Sequence, residues 1–280
     1  MLRIVTDGAA DLPAEWLTEY EISVIPINIQ FGEKTYLQGV DLDTEGFYKL
    51  VDETKKIPKT SQPSPHQFSE FYKNIAQPGE PILSIHVTSK LSGTYASAVA
   101  AGRELAGTYK VLPFDSASGS MAIGFMCRSA RLLERAGKSL EQIIQHLEEM
   151  RASGRLVLAL DTLKYAQMSG RVGTMQAALA SVLNVKPIAK LQDGLINMIE
   201  KVRTRKGSLE RLISLIKVEM GDRPLMMAIL HARDPQAGRE LLEQARTKFN
   251  ITEIYLVDLS ISLAANFGPG TVGIVAFPAE

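Results

Sequence analysis

Pro81-Ile82-Leu83-Ser84-Ile85-His86-Val87, followed at once by Ser89-Lys90-Leu91-Ser92-Gly93-Thr94-Tyr95, is the stretch that decides the fold. The first seven residues are a short apolar run opened by proline, which predicts a buried strand. The hydroxyl- and glycine-rich residues after it predict a loop, and the small residues from Tyr95 to Leu105 a helix. Strand, loop and helix in that order make one unit of a parallel sheet with helical crossovers. Such sheets bind ligands outside the carboxyl ends of their strands. Ser89 to Thr94 falls at such an end.

The same alternation runs through the first half. Leu2 to Thr6 reads as a strand, and Pro13 to Tyr20 as a helix capped by Asp11. Ser23 to Phe31 reads as a second strand, Gly32 to Gly39 as a turn or hairpin, and Glu45 to Thr54 as a helix. The segment Thr60-Ser61-Gln62-Pro63-Ser64-Pro65 reads as a loop before a helix from Pro65 to Ala76. Lys110 to Phe114 is a further strand, and Gly119 to Ala136 and Ser139 to Arg151 are helices. Asp7 and Asp115-Ser116 also fall at strand ends.

The second half has a different rhythm. Strands are expected at Leu156 to Ala159, Pro187 to Leu191, Leu195 to Val202, Leu225 to His231, Ile251 to Asp258 and Gly273 to Phe277. Helices are expected at Asp161 to Met168, Gly173 to about Leu183, Ser208 to Met220 and Pro235 to Phe249. Asp193-Gly194 is a strong hairpin signal, because both central residues tolerate positive φ. The chain therefore reads as an α/β protein of two α/β domains, with the boundary near Ala152-Ser153-Gly154. Residues 1–152 would carry a mainly parallel sheet, and residues 153–280 a mixed or antiparallel one.

Composition narrows the function. The 280 residues are 45% hydrophobic and 22% charged, which places the chain among globular proteins rather than disordered ones. Lys plus Arg and Asp plus Glu both number 31, so no global field recruits nucleic acid or an acidic membrane. The single Cys127 excludes an intramolecular disulfide and reads as a small buried hydrophobe within Met121 to Cys127. The N-terminal residues run directly into the first strand, without a charged leader and apolar core, and no uncharged apolar run is long enough to span a bilayer. A cytoplasmic protein is expected.

The two hydroxyl segments are the candidate site. A helix start rich in Ser, Thr and Gly favours an anion through unpaired N–H groups and the helix dipole. Neither segment contains Arg, and only Lys90 supplies positive charge, whereas a polyphosphate ordinarily requires more cations or a metal. A carboxylate is held by hydroxyls and backbone N–H groups alone. The apolar residues of Met121 to Cys127 and Met175 to Val185 would suit a long apolar tail, at ~0.8 kcal/mol for each buried CH₂.

Other signals are weaker. Gly268-Pro269-Gly270-Thr271-Val272-Gly273 matches a dinucleotide fingerprint literally, but no helix follows to receive a pyrophosphate. Its glycines more simply let the backbone pass close to another element or a ligand. Asp41 to Gly46 resembles the start of a calcium loop, but the entering helix is missing, and Asp43 or Thr44 serves better as a helix cap. His66, His86, His146 and His231 show no metal-ligand spacing. A serine-dependent acyl hydrolase or transferase using Ser92 or Ser61 is the competing reading, since a Ser-His-Asp arrangement is defined in space rather than in sequence. Lys201-Val202-Arg203-Thr204-Arg205-Lys206 is a basic run of the kind that usually forms a solvated face, or else docks an acidic protein. No aromatic residues accompany it, which argues against nucleic acid. Arg171 ends a helix after Ser169-Gly170.

These motifs, in this order, resemble the DegV family of bacterial fatty-acid-binding proteins over essentially the whole chain. The matching residues are Thr6-Asp7 with Asp11-Leu12-Pro13, the Thr60 and Ser89 segments, Asp115-Ser116, Ser169-Gly170-Arg171, the basic run and Gly268-Pro269-Gly270. The resemblance implies a long-chain fatty acid buried between two α/β domains, no cofactor and no catalytic residue of the chain's own. It further implies a partner fatty acid kinase that phosphorylates the bound carboxylate, and delivery of acyl phosphate toward phospholipid synthesis, with transient contact to the membrane or an acyltransferase. Carried over by motif, Thr60, Ser61, Ser92 and Gly93 would contact the carboxyl group, and Arg171, Arg203 and Arg205 would face the kinase. The family commonly has His where this chain has Asn266, which hydrogen-bonds but does not titrate near neutrality.

Overall fold

The computed structural model describes residues 1–171 and 185–279. The chain divides into two compact units, Met1–Ala152 and Ser153–Glu280. The helix expected from Gly173 to Leu183 lies outside the described residues.

The first unit runs β1 (Arg3–Asp7), α1 (Ala14–Glu19), β2 (Ile22–Ile25), β3 (Asn28–Phe31), β4 (Lys34–Leu37), α2 (Thr44–Thr54), β5 (Lys59–Ser61), α3 (Pro65–Ile75), β6 (Pro81–His86), α4 (Thr94–Glu104), β7 (Lys110–Asp115), α5 (Met121–Arg135) and α6 (Leu140–Ser153). Four strands form a wholly parallel sheet in the order β2-β1-β6-β7. The central strands are apolar on both faces, and Ile4, Val5, Ile82, Leu83 and Ile85 are fully buried. That is the pattern of a parallel sheet covered by helices on both sides. One cover is α5, where Met121, Ile123, Phe125 and Cys127 are buried. On α3 and α4, Phe68, Tyr72, Ala98 and Ala101 pack in one cluster with Val5 and Ile82.

Three local expectations are corrected. Ser23 to Phe31 is two strands, not one: β2 ends before Pro26 and joins the parallel sheet, while β3 joins a separate antiparallel sheet of order β4-β3-β5. Proline has no N–H for a ladder, so a strand breaks there readily. Thr60 and Ser61 belong to β5, opposite Ile29 and Asn28, and are not loop residues. Asp11 does not cap α1, whose N-cap is Pro13; its carboxylate accepts the Ser120 hydroxyl instead. Other caps follow the local rules. Asp43 accepts the Gly46 N–H at 2.8 Å at the head of α2. Ser64 and Gln67 form a reciprocal capping box at the head of α3.

The second unit runs β8 (Arg155–Ala159), α7 (Lys164–Ser169), β9 (Lys186–Gln192), β10 (Leu195–Val202), α8 (Arg205–Met220), β11 (Leu225–His231), α9 (Pro235–Lys248), β12 (Ile251–Asp258), α10 (Ile261–Phe267) and β13 (Val272–Pro278). Its six strands form a mixed sheet, β10-β9-β8-β13-β11-β12, in which only the β11–β12 pair is parallel. The β9–β10 hairpin turns at Asp193 and Gly194, with φ of 50° and 77°, as the dipeptide predicts. Helix α8 buries Leu209, Leu212, Ile216 and Met220 at helical spacing, against a core that includes Val157, Ile229 and Ile274. Helix α10 was not expected from the sequence. Among the described residues no helix is long and apolar enough to cross a membrane.

Candidate carboxylate site at the ends of the parallel strands

Strands β1, β6 and β7 end at Asp7, His86 and Asp115, and the residues that follow them build the site. Asp7 is fully buried. One of its oxygens accepts the Ala9 N–H at 2.9 Å, and the other accepts the Val87 N–H at 3.0 Å and faces His86 Nδ1 at 2.9 Å. Asp115 accepts the Ala117 N–H at 2.9 Å and the Ser89 N–H at 3.2 Å. The two carboxylates, both expected at strand ends, are therefore each engaged separately with the residues that follow the strands.

The Ser89 loop is held from its root. Thr88 donates its N–H to Ser118 O at 2.8 Å, and Thr88 O accepts the N–H groups of Leu91 and Ser92, each at 3.2 Å. Ser92 Oγ lies 2.8 Å from Thr94 Oγ1 and accepts the Thr94 N–H at 3.3 Å. The next residue, Gly93, is the N-cap of α4 and carries no side chain to close the helix end. The two helix starts thus differ: α3 is capped by its own Ser64 and Gln67, whereas α4 opens behind a glycine.

The segments bearing Thr60 and Ser92 are neighbours. A Cβ built on Gly93 would lie 2.8 Å from Gln62 Nε2, so the Gln62 side chain lies directly against the start of α4. A second glutamine acts alike at β1, where Gln38 Nε2 donates to Gly8 O at 2.6 Å and leaves no room for a Cβ. Gln38 thereby ties the end of the small antiparallel sheet to the end of β1, and Gln62, just after β5, lies against the start of α4. Thr60 is half-buried there and Ser61 exposed. The roles of Gln38, Gln62 and Gly8 carried no sequence signal, because each acts through a partner about 30 residues away.

The second unit holds the remaining candidates. Asn266, half-buried on α10, donates to Ser262 O at 2.6 Å. Arg205 binds Asp234 Oδ2 at 2.6 Å and the carbonyl of Gly270 through the same Nη2. It clamps the Gly268–Gly270 turn, which is further tied by Gly270 N–H to Ala232 O at 2.7 Å. The glycines there do permit close approach: a Cβ on Gly268 would lie 2.5 Å from the Tyr165 ring. Arg203 is exposed, and Arg171 turns back onto the Ser169 carbonyl.

Ser92 is not joined to a histidine among the described residues. His146 pairs with Ser129 at 2.7 Å, and His231 faces Asp258 at 3.2 Å. His86 does link an aspartate to a serine, but that serine is Ser84, which is completely buried. Cys127 is buried as well, and burial pushes its thiol up to about 12, with the Asp7 carboxylate adding to the rise. A thiol held protonated in this way is inert. Native protein at pH 8 is expected to give no colour with an aromatic disulfide reagent, and unfolded protein one equivalent; rapid labelling of the native form would show the site to be open. No cluster of His, Cys, Asp and Glu suited to a metal occurs among the described residues.

A parallel-sheet unit with a hydroxyl-rich candidate site at its strand ends, followed by a mixed-sheet unit, defines a two-unit α/β protein. The sequence model described as "Uncharacterised protein, DegV family" matches residues 1–279, and the chain belongs to the DegV family. It is 32% identical to Protein DegV of Bacillus subtilis over 275 residues, covering 98% of each chain. A solved structure of the Bacillus subtilis DegV, described as a fatty acid binding protein, superposes with a TM-score of 0.88 at 31% identity, covering 99% of each chain. Another, described as fatty acid binding of a DegV family protein from Thermus thermophilus, gives 0.90 at 28% identity, again over 99% of each.

Proposed function

We propose that this protein is a non-catalytic cytoplasmic carrier that binds a long-chain fatty acid and presents its carboxyl group to a partner kinase for acyl-phosphate formation. The observation that supports the reading is the contact of Gln62 with Gly93, because it brings the segment that carries Thr60 and Ser61 against the one that carries Ser92. Fatty acid binding by the DegV relatives supports the ligand class. In this reading Thr60, Ser61 and Ser92 hydrogen-bond the carboxylate, Gly93 admits it to the start of α4, and Asn266 stands where relatives carry His. Arg203, exposed and free of the turn that occupies Arg205, is the leading candidate for contact with the kinase, and Arg171 and Arg205 are assigned there by motif.

Mass spectrometry of an organic extract of purified protein is expected to yield about one fatty acid per chain. A delipidated protein that takes up none would refute the reading. Ser92→Ala is expected to weaken uptake by about 10- to 100-fold, the loss of one hydrogen bond to a charged group being ~1.5–3 kcal/mol. Unchanged affinity would remove Ser92 from the site.

A further inference from the structure

Four side chains of the first unit form an unbroken buried chain that the carrier reading leaves without a task. Tyr72 Oη lies 2.8 Å from Ser84 Oγ, Ser84 Oγ lies 2.6 Å from His86 Nε2, and His86 Nδ1 lies 2.9 Å from Asp7. Asp7, Ser84, His86 and Tyr72 are all fully buried. The His86 ring also stands edge-on to Phe68, with centroids 5.1 Å apart. Four polar groups in a core are an expensive way to fill space, since apolar side chains of similar volume pack there without desolvation cost. What a fully satisfied polar chain adds is a single permitted geometry.

The direction of the chain follows from its protons. Asp7 accepts main-chain N–H groups on both oxygens, so the hydrogen between Asp7 and His86 sits on Nδ1. Tyr72 has Ser84 as its hydrogen-bond partner, and a buried phenol proton requires an acceptor. Tyr72 therefore donates to Ser84, and Ser84 donates to Nε2. The opposite direction would strand the tyrosine proton in the core. The hydrogen-bond directions thus assign His86 the Nδ1–H tautomer.

The ends of the chain are informative. Tyr72 and Phe68 lie on α3, the helix that follows Thr60 and Ser61, whereas Ser84 and His86 lie on β6, the strand that leads into Ser92. Asp7 then fastens the end of β6 to β1 by accepting the Val87 N–H. We propose that the Asp7–His86–Ser84–Tyr72 chain is the positioning element of the carboxylate site, holding the two hydroxyl-bearing segments at the separation a carboxyl group requires. The proposal rests on the carrier reading above. All four are positioning residues, acting through Thr60 and Ser92.

Palmitate affinity of the delipidated full-length chain tests it, together with thermal melting and the ¹⁵N shifts of His86. Tyr72→Phe keeps the ring and removes only the tie between α3 and β6. It is expected to weaken palmitate binding by about three- to tenfold, the scale of one net neutral hydrogen bond. Ser69→Ala is the comparison: Ser69 is another buried α3 hydroxyl, bonded to Glu104 at 3.1 Å and outside the chain. Whatever it does to the melting temperature, it should leave affinity within about twofold of wild type, since its bond runs to the exposed Glu104 carboxylate and not to β6. The ¹⁵N spectrum should show His86 as the Nδ1–H tautomer in wild type. Unchanged affinity in Tyr72→Phe, an equal loss in Ser69→Ala, or the Nε2–H tautomer would each overturn the proposal. Wild-type protein that takes up no palmitate would instead overturn the carrier reading, even with the Nδ1–H signature present.

Discussion

Gly273→Val is expected to unfold the second unit at temperatures where the wild type is intact. Gly273 lies on β13, between β8 and β11 near the middle of the six-stranded sheet. A Cβ added there would stand 2.5 Å from Leu158 Cδ2 and 2.8 Å from the carbonyl oxygen of Val157. The first contact can be relieved by a rotamer change, but the second is with main chain in the paired strand. Relief requires the β8–β13 ladder to part, at the centre of a core where Val157, Ile229 and Ile274 are fully buried. Overpacking of a core typically costs about 1–3 kcal/mol, and displacing main chain raises this to roughly 4 kcal/mol or more. Native-state hydrogen exchange should show the β8 and β13 amides losing protection together. Gly119→Ala is the benign comparison, because its added Cβ would meet nothing closer than 3.9 Å. Equal stability of the two variants would show that the β8–β13 spacing adapts freely.

Asp7→Ala is expected to be nearly as damaging in the first unit, by a different route. The carboxylate is shared by the N–H groups of Ala9 and Val87 and by His86 Nδ1, and all three donors lose their acceptor when it is removed. At ~1–3 kcal/mol for each buried group left unpaired, the upper limit for three is roughly 9 kcal/mol, and a loss of roughly 3–6 kcal/mol is expected once the loops relax toward water. For a unit of this size that corresponds to a melting transition lowered by about 10–20 °C. Differential scanning calorimetry on the full chain would measure it. A shift of only a degree or two would mean that water replaces the carboxylate at the end of β1.

Local signals of the fold were legible because they act over a few residues. Asp193-Gly194 announced its hairpin through backbone preference alone, and Asp43 and Pro235 sat where helix starts place them. The apolar run from Ile82 to Ile85 announced the parallel sheet. Pro26 was read through, because the apolar residues on both sides of it form one continuous run, and only the sheet partners reveal two strands. Thr60 and Ser61 looked like a loop for a related reason: a three-residue strand is made by its pairing with β3 and has too few residues to show a period. Helix α10, seven residues long, was hidden in the same way.

The candidate site was legible as chemistry and illegible as geometry. Hydroxyls without cations pointed to a carboxylate, and that inference used residue types only. Nothing in the sequence joined Asp7 to His86, 79 residues away, or Gln38 to Gly8, 30 residues away. His86 looked like one of four scattered histidines, because burial and ring orientation arise only when β1 and β6 lie side by side. Arg205 shows the reverse. Its basic surroundings suggest a solvated face or a docking patch, and no local signal shows that its side chain also reaches Asp234 and the Gly270 carbonyl.

The close approach of Gln62 to Gly93 has a consequence for inheritance. An alanine at 93 would press on the Gln62 amide, which must then turn away, so a change at 93 is felt directly at 62. The two positions therefore share one small volume although 30 residues of chain separate them, and a larger residue at 93 is expected to be accompanied by a shorter or redirected one at 62.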